Sequence, residues 1–324
     1  MLAAGLAYQG IESYLDRRRF PPPGRLIALG THRLHIHELG SGAPPVVLEA
    51  GIAGSSAGWA LVQPSIAEFT RVASYDRAGL GWSDAARAER SVQQMVGELR
   101  ALLSAAKIPG PFILVGHSFG SLLVRAYAHS FPDEVAGLVL LDPVSIEYWS
   151  RCSQRDKTRI ALGARFSRRG AILARLGIVR LALNTMLSGS RLLPKLINRA
   201  SAGRGHGTVE RLIGEVRQLP RETWPALASR WSRPQAFLAM AAYLETLQPC
   251  AESAVHLKVS ARIPLVILSA ENATPAELAE RERWIAESQS GTHSRVPGSG
   301  HWVQLERPDV VISEIAKLVE AIRR

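Results

Sequence analysis

The sequence predicts an α/β protein with a mostly parallel sheet flanked by helices. Short apolar runs alternate along the chain with segments of helical periodicity, which is the pattern of βαβ units. The 324 residues are 47% hydrophobic and 21% charged, which fits a globular chain with a substantial core. No run reaches the roughly 18 apolar residues that a membrane-spanning helix needs, so we expect a cytoplasmic protein and leave contact with a membrane surface open.

Residues 1–24 are predicted to form an N-terminal helix and a linker. Met1–Ile11 is mildly apolar, and Arg17–Arg19 follow it, which reverses the charge order of a signal peptide. We therefore interpret the segment as an amphipathic helix that packs on the body of the protein or rests on a membrane. Pro21-Pro-Pro-Gly24 cannot continue that helix.

The strands of the core follow the linker. Two short alternating runs, 26–29 and 34–37, are separated by Gly30-Thr31 and predict a hairpin. Later apolar runs are typical of buried parallel strands, and they are Pro45–Gly51, Arg71–Tyr75, Phe112–Val115, Val135–Leu141 and Leu265–Leu268. Between them, helical spacing of apolar residues predicts helices over Ser91–Leu103, Ser121–Phe131 and Ser313–Ile322.

The alternation of strands and helices stops after Leu141 and resumes near Pro264. We therefore predict a core made of residues 25–145 and 263–324, interrupted by a helical, strongly basic lid over residues 146–262. Residues 151–233 contain sixteen arginines and two lysines against four acidic residues, a net charge of +14 where the whole chain carries +11. The rest of the protein is thus slightly acidic.

The basic lid has two interpretations. Within Ile160–Leu183, five arginines fall on one face of a helix at 100° per residue, and these are Arg165, Arg168, Arg169, Arg175 and Arg180. Such a face suits an anionic membrane surface, but it is also typical of the solvated outer side of a lid helix. No nucleic-acid partner is expected, because no recognition motif is present.

Ser118 is the predicted nucleophile. The run Phe112–Val115 leads directly into Gly116-His-Ser-Phe-Gly120 and then into a helix. A serine on a sharp strand-to-helix turn needs small neighbours two positions before and after it, and the turn exposes its hydroxyl beside the N-terminus of the helix. A second Gly-x-Ser-x-Gly match surrounds Ser56, but three loop residues separate it from the preceding strand.

The chain resembles the α/β-hydrolase superfamily, in particular its lidded branch of small serine esterases and cofactor-free haloperoxidases. The resemblance covers most of residues 25–324 and is carried by four segments, namely the elbow around Ser118, the turn Ser74–Ser83, Gly298-Ser-Gly-His301 and the loop after Glu49-Ala-Gly51. It implies an eight-stranded sheet, a lid between strands 6 and 7, and the chain order nucleophile, acid, histidine. It implies neither a cofactor nor a metal.

The resemblance makes His301 the general base. Only His293 and His301 follow the last predicted parallel strand, and only His301 has the flanking glycines that let it reach across its loop. His117, on the elbow itself, is expected to pack away from the nucleophile. Asp76 and Arg77 are interpreted as residues that order the turn after their strand.

The acid of the triad is open. The position where the family usually has aspartate, after Leu265–Leu268, aligns with Asn272, and Glu271 lies beside it. The family's second solution is an acid at the end of the preceding strand, which here is Asp142, at the carboxyl edge where sites in open α/β sheets gather. We favour Asp142 and keep Glu271 as the alternative acid; Asp142 could also simply cap the turn before Pro143.

The oxyanion hole is expected to use the backbone N–H groups of Phe119 and Ile52. These residues predict hydrolysis of small or medium carboxylic esters through an acyl-enzyme on Ser118. Serine at the elbow argues against an epoxide hydrolase or haloalkane dehalogenase, which need a carboxylate there. Two alternatives remain: acyl transfer or perhydrolysis by the same triad, and a non-catalytic scaffold that binds anionic membranes through the basic lid.

Overall fold

The computed structural model describes residues 2–86, 89–187 and 218–324. Eight strands form one sheet in the order β1-β2-β4-β3-β5-β6-β7-β8. Their bounds are β1 Arg25–Ala28, β2 Arg33–Leu39, β3 Val46–Glu49, β4 Val72–Tyr75, β5 Phe112–His117, β6 Val135–Leu141, β7 Leu265–Ala270 and β8 Gly291–Val296.

The sheet is mixed, as predicted. Strands β1 and β2 form an antiparallel hairpin, and β2 pairs antiparallel with β4. Every pairing from β4 through β3, β5, β6 and β7 to β8 is parallel. The predicted hairpin and the predicted α/β class are therefore confirmed.

Strand β8 has no counterpart among the runs that the residues alone predict. Among the described residues, it lies at the edge of the sheet and pairs with β7 alone. Its sequence, Gly-Thr-His-Ser-Arg-Val, has only one buried side chain, Val296. An edge strand that is mostly exposed needs no apolar run, so the sequence of β8 resembles that of a loop. The expectation of eight strands came from the family resemblance and not from apolar runs.

The main predicted helices form within a few residues of their expected bounds. Ser91 caps one of them by accepting the N–H of Gln94, and its apolar positions are buried against the sheet. The helices are α1 Leu2–Arg19, α2 Gln63–Ala67, α3 Val92–Ala105, α4 Phe119–Ser130, α5 Ile146–Ser150, α6 Gln154–Arg175, α7 Ile178–Leu187, α8 Trp224–Trp231, α9 Pro234–Ala254, α10 Pro275–Ala286, α11 Val303–Glu306 and α12 Pro308–Arg323.

The core has one hydrophobic cluster on each face of the sheet. One cluster joins alternate strand residues such as Leu114 and Leu138 to helices α3 and α4. The other joins the intervening residues, such as Ile113 and Val139, to α12. This alternation follows from the two-residue period of a strand that is covered on both faces.

Helices α5–α9 lie between β6 and β7, where the helical insertion was predicted, although residues 188–217 of that insertion are outside the described part of the chain. Helix α9 joins the same cluster as α3 and α4 through Tyr243, Leu247 and Ala251. The Tyr243 hydroxyl also donates to the carbonyl of Ala78, at 3.0 Å. The insertion is thus anchored in the core by α9.

The basic stretch over Ile160–Leu183, whose arginines were expected on one helical face, is divided between α6 and α7. Helix α6 stops at Arg175, and Gly177 adopts a φ of +73° before α7 begins. Arg180 does not lie on an outer basic face, because it is buried and its Nη1 contacts the Asp16 carboxylate at 2.5 Å. A buried guanidinium requires such a partner, which the sequence spacing could not reveal.

Helix α1 packs on the insertion rather than on the sheet. Gln9 donates to the carbonyl of Ser232, and the side chain of Arg180 donates to Gln9 and Asp16. These contacts agree with the interpretation that the helix packs on the body of the protein. None of the described helices combines the length and the apolar character that a membrane crossing requires.

Candidate active site

Ser118 occupies a strained turn between β5 and α4. Its φ and ψ are +51° and −118°, a backbone conformation that residues other than glycine rarely adopt. A Cβ on Gly116 would lie 2.7 Å from the backbone of Ser121, and a Cβ on Gly120 would lie 2.4 Å from the carbonyl oxygen of Glu49. Both glycines are therefore sterically required, as expected of a nucleophile elbow.

Ser56 has a different environment from Ser118. It begins a short 3₁₀ helix, Ser56–Trp59, and it is only 6% exposed. Its Oγ lies 3.5 Å from His35 Nδ1, the same nitrogen that contacts Asp76 at 2.8 Å. A triad needs the two ring nitrogens of the base for two different partners, so this cluster lacks the geometry for nucleophilic catalysis.

Asp142 and His301 are hydrogen-bonded partners. The Oδ2 atom of Asp142 lies 2.7 Å from Nδ1 of His301, although 159 residues separate them in the chain. Because the carboxylate accepts the Nδ1 proton, Nε2 of His301 is left able to take a proton. Asp142 directly follows β6, at the carboxyl edge of the sheet.

Three groups besides His301 hold Asp142 in place. Its backbone N–H donates to Leu268, its Oδ1 accepts from the N–H of Ala270, and Arg281 Nη1 lies 3.1 Å from Oδ1. Burial raises the pKa of Asp142, but the hydrogen bond and charge of His301 and the charge of Arg281 outweigh it, so the pKa lies below its usual value. The carboxylate is therefore ionised at neutral pH.

Arg281 is a site residue that the sequence reasoning missed. It is buried, and it also donates to Ser269 Oγ and to the carbonyl of Pro143. It lies on α10, far along the chain from Asp142, and its sequence context is an ordinary charged helix. No local signal distinguishes it from the exposed arginines nearby.

Glu271, the alternative acid, has another contact. Its Oε2 accepts the N–H of Gly298 at 2.8 Å, and its backbone N–H donates to Ser299. Glu271 thus orders the loop that carries His301, and no contact between the two side chains occurs among the described residues. Asn272 is exposed beside it.

His117 contacts the site more closely than predicted. Its Nε2 lies 2.7 Å from the backbone carbonyl of His301, and its ring packs 4.8 Å from that of His301 and 4.9 Å from that of Trp302. Burial, and then the charge of His301, lower the pKa of His117 to about 3. His117 is therefore neutral, with its proton on Nε2, and it donates that proton in a hydrogen bond to the backbone carbonyl of His301.

Backbone contacts place the ends of β5 and β6 side by side. The N–H of Ser118 donates to the carbonyl of Leu141, and the carbonyl of Ser118 accepts from Val144. Ser118 and Asp142 thus follow the ends of neighbouring strands. The ring of His301 contacts Asp142, and the backbone carbonyl of His301 contacts His117, the residue before Ser118. The structure brings Ser118, Asp142 and His301 to one edge of the sheet.

The loop after β3 is tied down by Arg77. Its guanidinium donates to the carbonyl oxygens of Ala50, at 2.6 Å, and of Gly51, and it pairs with the buried Glu49 carboxylate. In a trans peptide the C=O and N–H point in opposite directions, so the N–H of Ile52 points away from Arg77. A Cβ on Gly51 would lie 3.5 Å from the Cβ of Ser118, so this loop adjoins the nucleophile.

Phe119 is the first residue of α4, so its N–H has no intrahelical partner. Both predicted oxyanion donors, Phe119 and Ile52, thus belong to segments beside Ser118. Asp76 lies deeper, where it accepts the N–H groups of Ser56 and Trp82 and contacts His35. These contacts agree with its interpretation as a turn-ordering residue, whereas Arg77 acts on the loop after β3.

The two cysteines and His293 have contacts other than those of Ser118, Asp142 and His301. Cys152 and Cys250 are both buried and free. His293 lies within β8, not after the last strand, and its Nε2 is 2.7 Å from Ser269 Oγ. Within the described ranges, no three His, Cys, Asp or Glu side chains are grouped as a metal site.

Comparison with known proteins places these residues in a family context. A family model described as "alpha/beta hydrolase fold" matches residues 44–308. An uncharacterized protein YqjL of Bacillus subtilis is 38% identical over 107 residues, which are 33% of this chain and 42% of that protein. A 2-hydroxy-6-oxo-2,4-heptadienoate hydrolase of Pseudomonas putida is 30% identical over 128 residues, which are 39% of this chain and 46% of that protein.

A solved structure resembles the chain over nearly its whole length. A thermophilic esterase from Thermogutta terrifontis superposes with a TM-score of 0.61 at 19% identity, covering 93% of this chain and 99% of the esterase. The curated relatives, by contrast, are matched over less than half of their length. The structural likeness therefore concerns the fold, and the sequence matches concern a part of it.

Proposed function

The chain belongs to the α/β-hydrolase fold family, and on that basis we propose that it is a serine hydrolase that cleaves carboxylic esters through an acyl-enzyme on Ser118. The single observation that carries the proposal is the 2.7 Å contact between Asp142 and Nδ1 of His301, beside the strained serine turn. A carboxylate, an imidazole and a serine in this order are the parts of an acyl-transfer site. The hydrolase name of the Pseudomonas putida relative supports hydrolysis in general.

In the proposed mechanism, Oγ of Ser118 attacks the ester carbonyl while Nε2 of His301 takes its proton. Asp142 offsets the imidazolium charge, and the N–H groups of Phe119 and Ile52 hold the oxyanion. His301 then protonates the leaving alcohol, and the acyl group stays on Ser118. Water, deprotonated by His301, attacks the acyl carbonyl; the bond to Ser118 Oγ then breaks, Oγ takes the proton back from His301, and the acid is released.

The test is hydrolysis of p-nitrophenyl acyl esters of increasing chain length, together with labelling by a fluorophosphonate. We expect turnover and labelling of the native chain, and loss of both in Ser118→Ala. Ser56→Ala is the matched control, because Ser56 shares the Gly-x-Ser-x-Gly pattern but is buried, and we expect it to retain both. A native protein that neither hydrolyses these esters nor reacts with the label would contradict the proposal.

A further inference from the structure

The side chain of Arg125, in the middle of α4, is buried without an acidic partner. It is 4% exposed, and burial lowers the pKa of its guanidinium to about 10. Three other buried arginines, Arg77, Arg180 and Arg281, each contact a carboxylate. Within the described part of the chain, by contrast, Arg125 forms neither a hydrogen bond nor an ion pair.

The guanidinium of Arg125 lies over the ring of Trp284 on α10. Its central carbon is 3.8 Å from the centre of that ring. A cation is attracted to an aromatic face, but this contact gives the five N–H donors of the guanidinium no acceptor. A buried donor without an acceptor costs free energy, and such groups are usually satisfied by an ordered solvent molecule or an ion.

A small cavity adjoins Arg125 between α4, α10 and the segment that leads into β7. Its volume of about 10 Å³ is close to what one water molecule needs. The hydroxyl of Ser288 lines it and donates to the carbonyl of Ile263, whereas that of Ser260 has no hydrogen-bond partner among the described residues. The apolar part of its wall consists of Val259, Ile263, Leu265 and Trp284.

The charges around the cavity limit what can occupy it. Glu287 lines it and is exposed, while Glu280 is buried on α10, where its carboxylate accepts the N–H groups of Ile146 and Glu147. Both carboxylates act to raise the pKa of Arg125, though less than burial lowers it, and neither pairs with Arg125 in the described ranges. One positive charge thus lacks a direct counter-ion, and the negative charges farther away disfavour a doubly charged anion.

We propose that this cavity binds one small monovalent anion, of the size of chloride, through the guanidinium of Arg125 and the hydroxyl of Ser260. We call it the Arg125 site. The anion supplies the acceptor and the counter-charge that the guanidinium lacks, and a hydrogen bond between charged groups is the strong kind. The small volume excludes sulfate and phosphate, and it admits an organic acid only by its carboxylate.

The Arg125 site lies away from the catalytic edge of the sheet. Leu265 is the first residue of β7, whereas Asp142 lies at the opposite, carboxyl edge. The two helices that form the site nevertheless also serve the catalytic groups, since α4 begins after Ser118 and α10 carries Arg281. We therefore assign the anion a structural role between these helices. The proposal does not depend on the chemistry of Ser118.

The test is thermal unfolding of the full chain in sodium chloride, sodium acetate or sodium gluconate at equal ionic strength. Because the anion binds only the folded chain, the melting temperature should be about 2 °C or more higher in chloride than in gluconate, whose anion is too large for the cavity. An equal rise in acetate extends the ligand class to carboxylates, and no rise in acetate restricts it to halides; both support the site. Anomalous scattering from crystals grown in sodium bromide should place a bromide beside the guanidinium.

Arg125→Met should abolish the difference between chloride and gluconate. Methionine replaces the unpaired charge by an apolar chain, so the variant should be at least as stable as the native chain in gluconate. Arg100→Met is the matched control, because Arg100 also lies over an aromatic ring, that of Phe131, but already pairs with Glu134. It should keep the native response to chloride.

Glu287→Gln tests the carboxylate that competes with the anion for Arg125. We expect this variant to bind chloride at least as tightly as the native chain, because it removes a negative charge from the wall of the cavity. The proposal is overturned if the native melting temperature is the same in chloride and gluconate, or if Arg125→Met keeps the chloride response. It is also overturned if the crystals show water or the Glu287 carboxylate beside Arg125 in place of bromide.

Discussion

At the scale of single residues, the proposed acid is Asp142, at the end of β6, and not Glu271 or Asn272 of the loop after β7. The loop after β7 contains Glu271 and Asn272, but Glu271 binds the N–H of Gly298, not the His301 ring. Asp142, at the end of β6, contacts Nδ1 of His301 and is itself held by Arg281. A carboxylate with this many fixed partners can orient an imidazole without reorganisation during the reaction.

Exchange of the acid gives a prediction at this scale. Asp142→Asn should lower kcat by about 10³- to 10⁴-fold, because an amide cannot offset the imidazolium charge and can favour the wrong tautomer of His301. Glu271→Gln should keep kcat within a few-fold of the native value, since its partner is a backbone N–H. Ester hydrolysis by the two variants, with thermal unfolding to compare their stability, measures this; a larger loss in Glu271→Gln would move the acid to the loop after β7.

At the scale of elements, the site depends on how the turn after β4 holds the loop after β3. Arg77 binds the carbonyl oxygens of Ala50 and Gly51 and the carboxylate of Glu49, which the Tyr75 hydroxyl also contacts. The planar guanidinium can serve all three acceptors, whereas a lysine ammonium presents a single point charge. The loop orientation, and with it the direction of the Ile52 N–H, is thus determined by a neighbouring element.

Arg77→Lys should therefore lower kcat about tenfold to a hundredfold with a smaller change in KM, because a misplaced oxyanion donor acts mainly on the transition state. Tyr75→Phe is the control: it removes one contact to Glu49 but leaves both loop carbonyls bound. It should lower the melting temperature and leave kcat near the native value. Equal losses of kcat in the two variants would show that Arg77 stabilises the core without orienting the loop.

At the scale of the whole molecule, buried titratable groups link the site to global stability. The pKa of His117 is lowered to about 3 by burial and then by the charge of His301. In the unfolded chain the same imidazole takes a proton near pH 6.5. Between these values the unfolded state binds more protons than the folded state, so the free energy of unfolding falls as the pH drops from about 6.5 toward about 3.

The variant His117→Gln should reduce this loss of stability in acid. Glutamine can still donate to the carbonyl of His301, but it does not titrate. Urea unfolding of both proteins at neutral pH and at about pH 4 should show a native free energy of unfolding that falls by up to a few kcal/mol more than that of the variant, since one pKa unit corresponds to about 1.4 kcal/mol. Parallel pH profiles for the two proteins would refute the assignment of this acid sensitivity to His117.

The sequence by itself determined what depends on neighbouring residues in the chain. The α/β class, the β1–β2 hairpin and the serine turn between β5 and α4 follow from apolar periodicity and from glycines at required spacings, because backbone hydrogen bonds and steric limits act over a few residues. The family resemblance added the count of eight strands and named His301. Where the local pattern was weak, as in the exposed strand β8, the residues alone predicted no element.

Only the tertiary structure decided what depends on distances between remote segments. Asp142 meets His301 across 159 residues, Arg281 reaches Asp142 from α10, and Arg180 turns from an expected surface residue into a buried partner of Asp16. Each of these pairings is set by the packing of helices on the sheet, which no periodicity along the chain encodes.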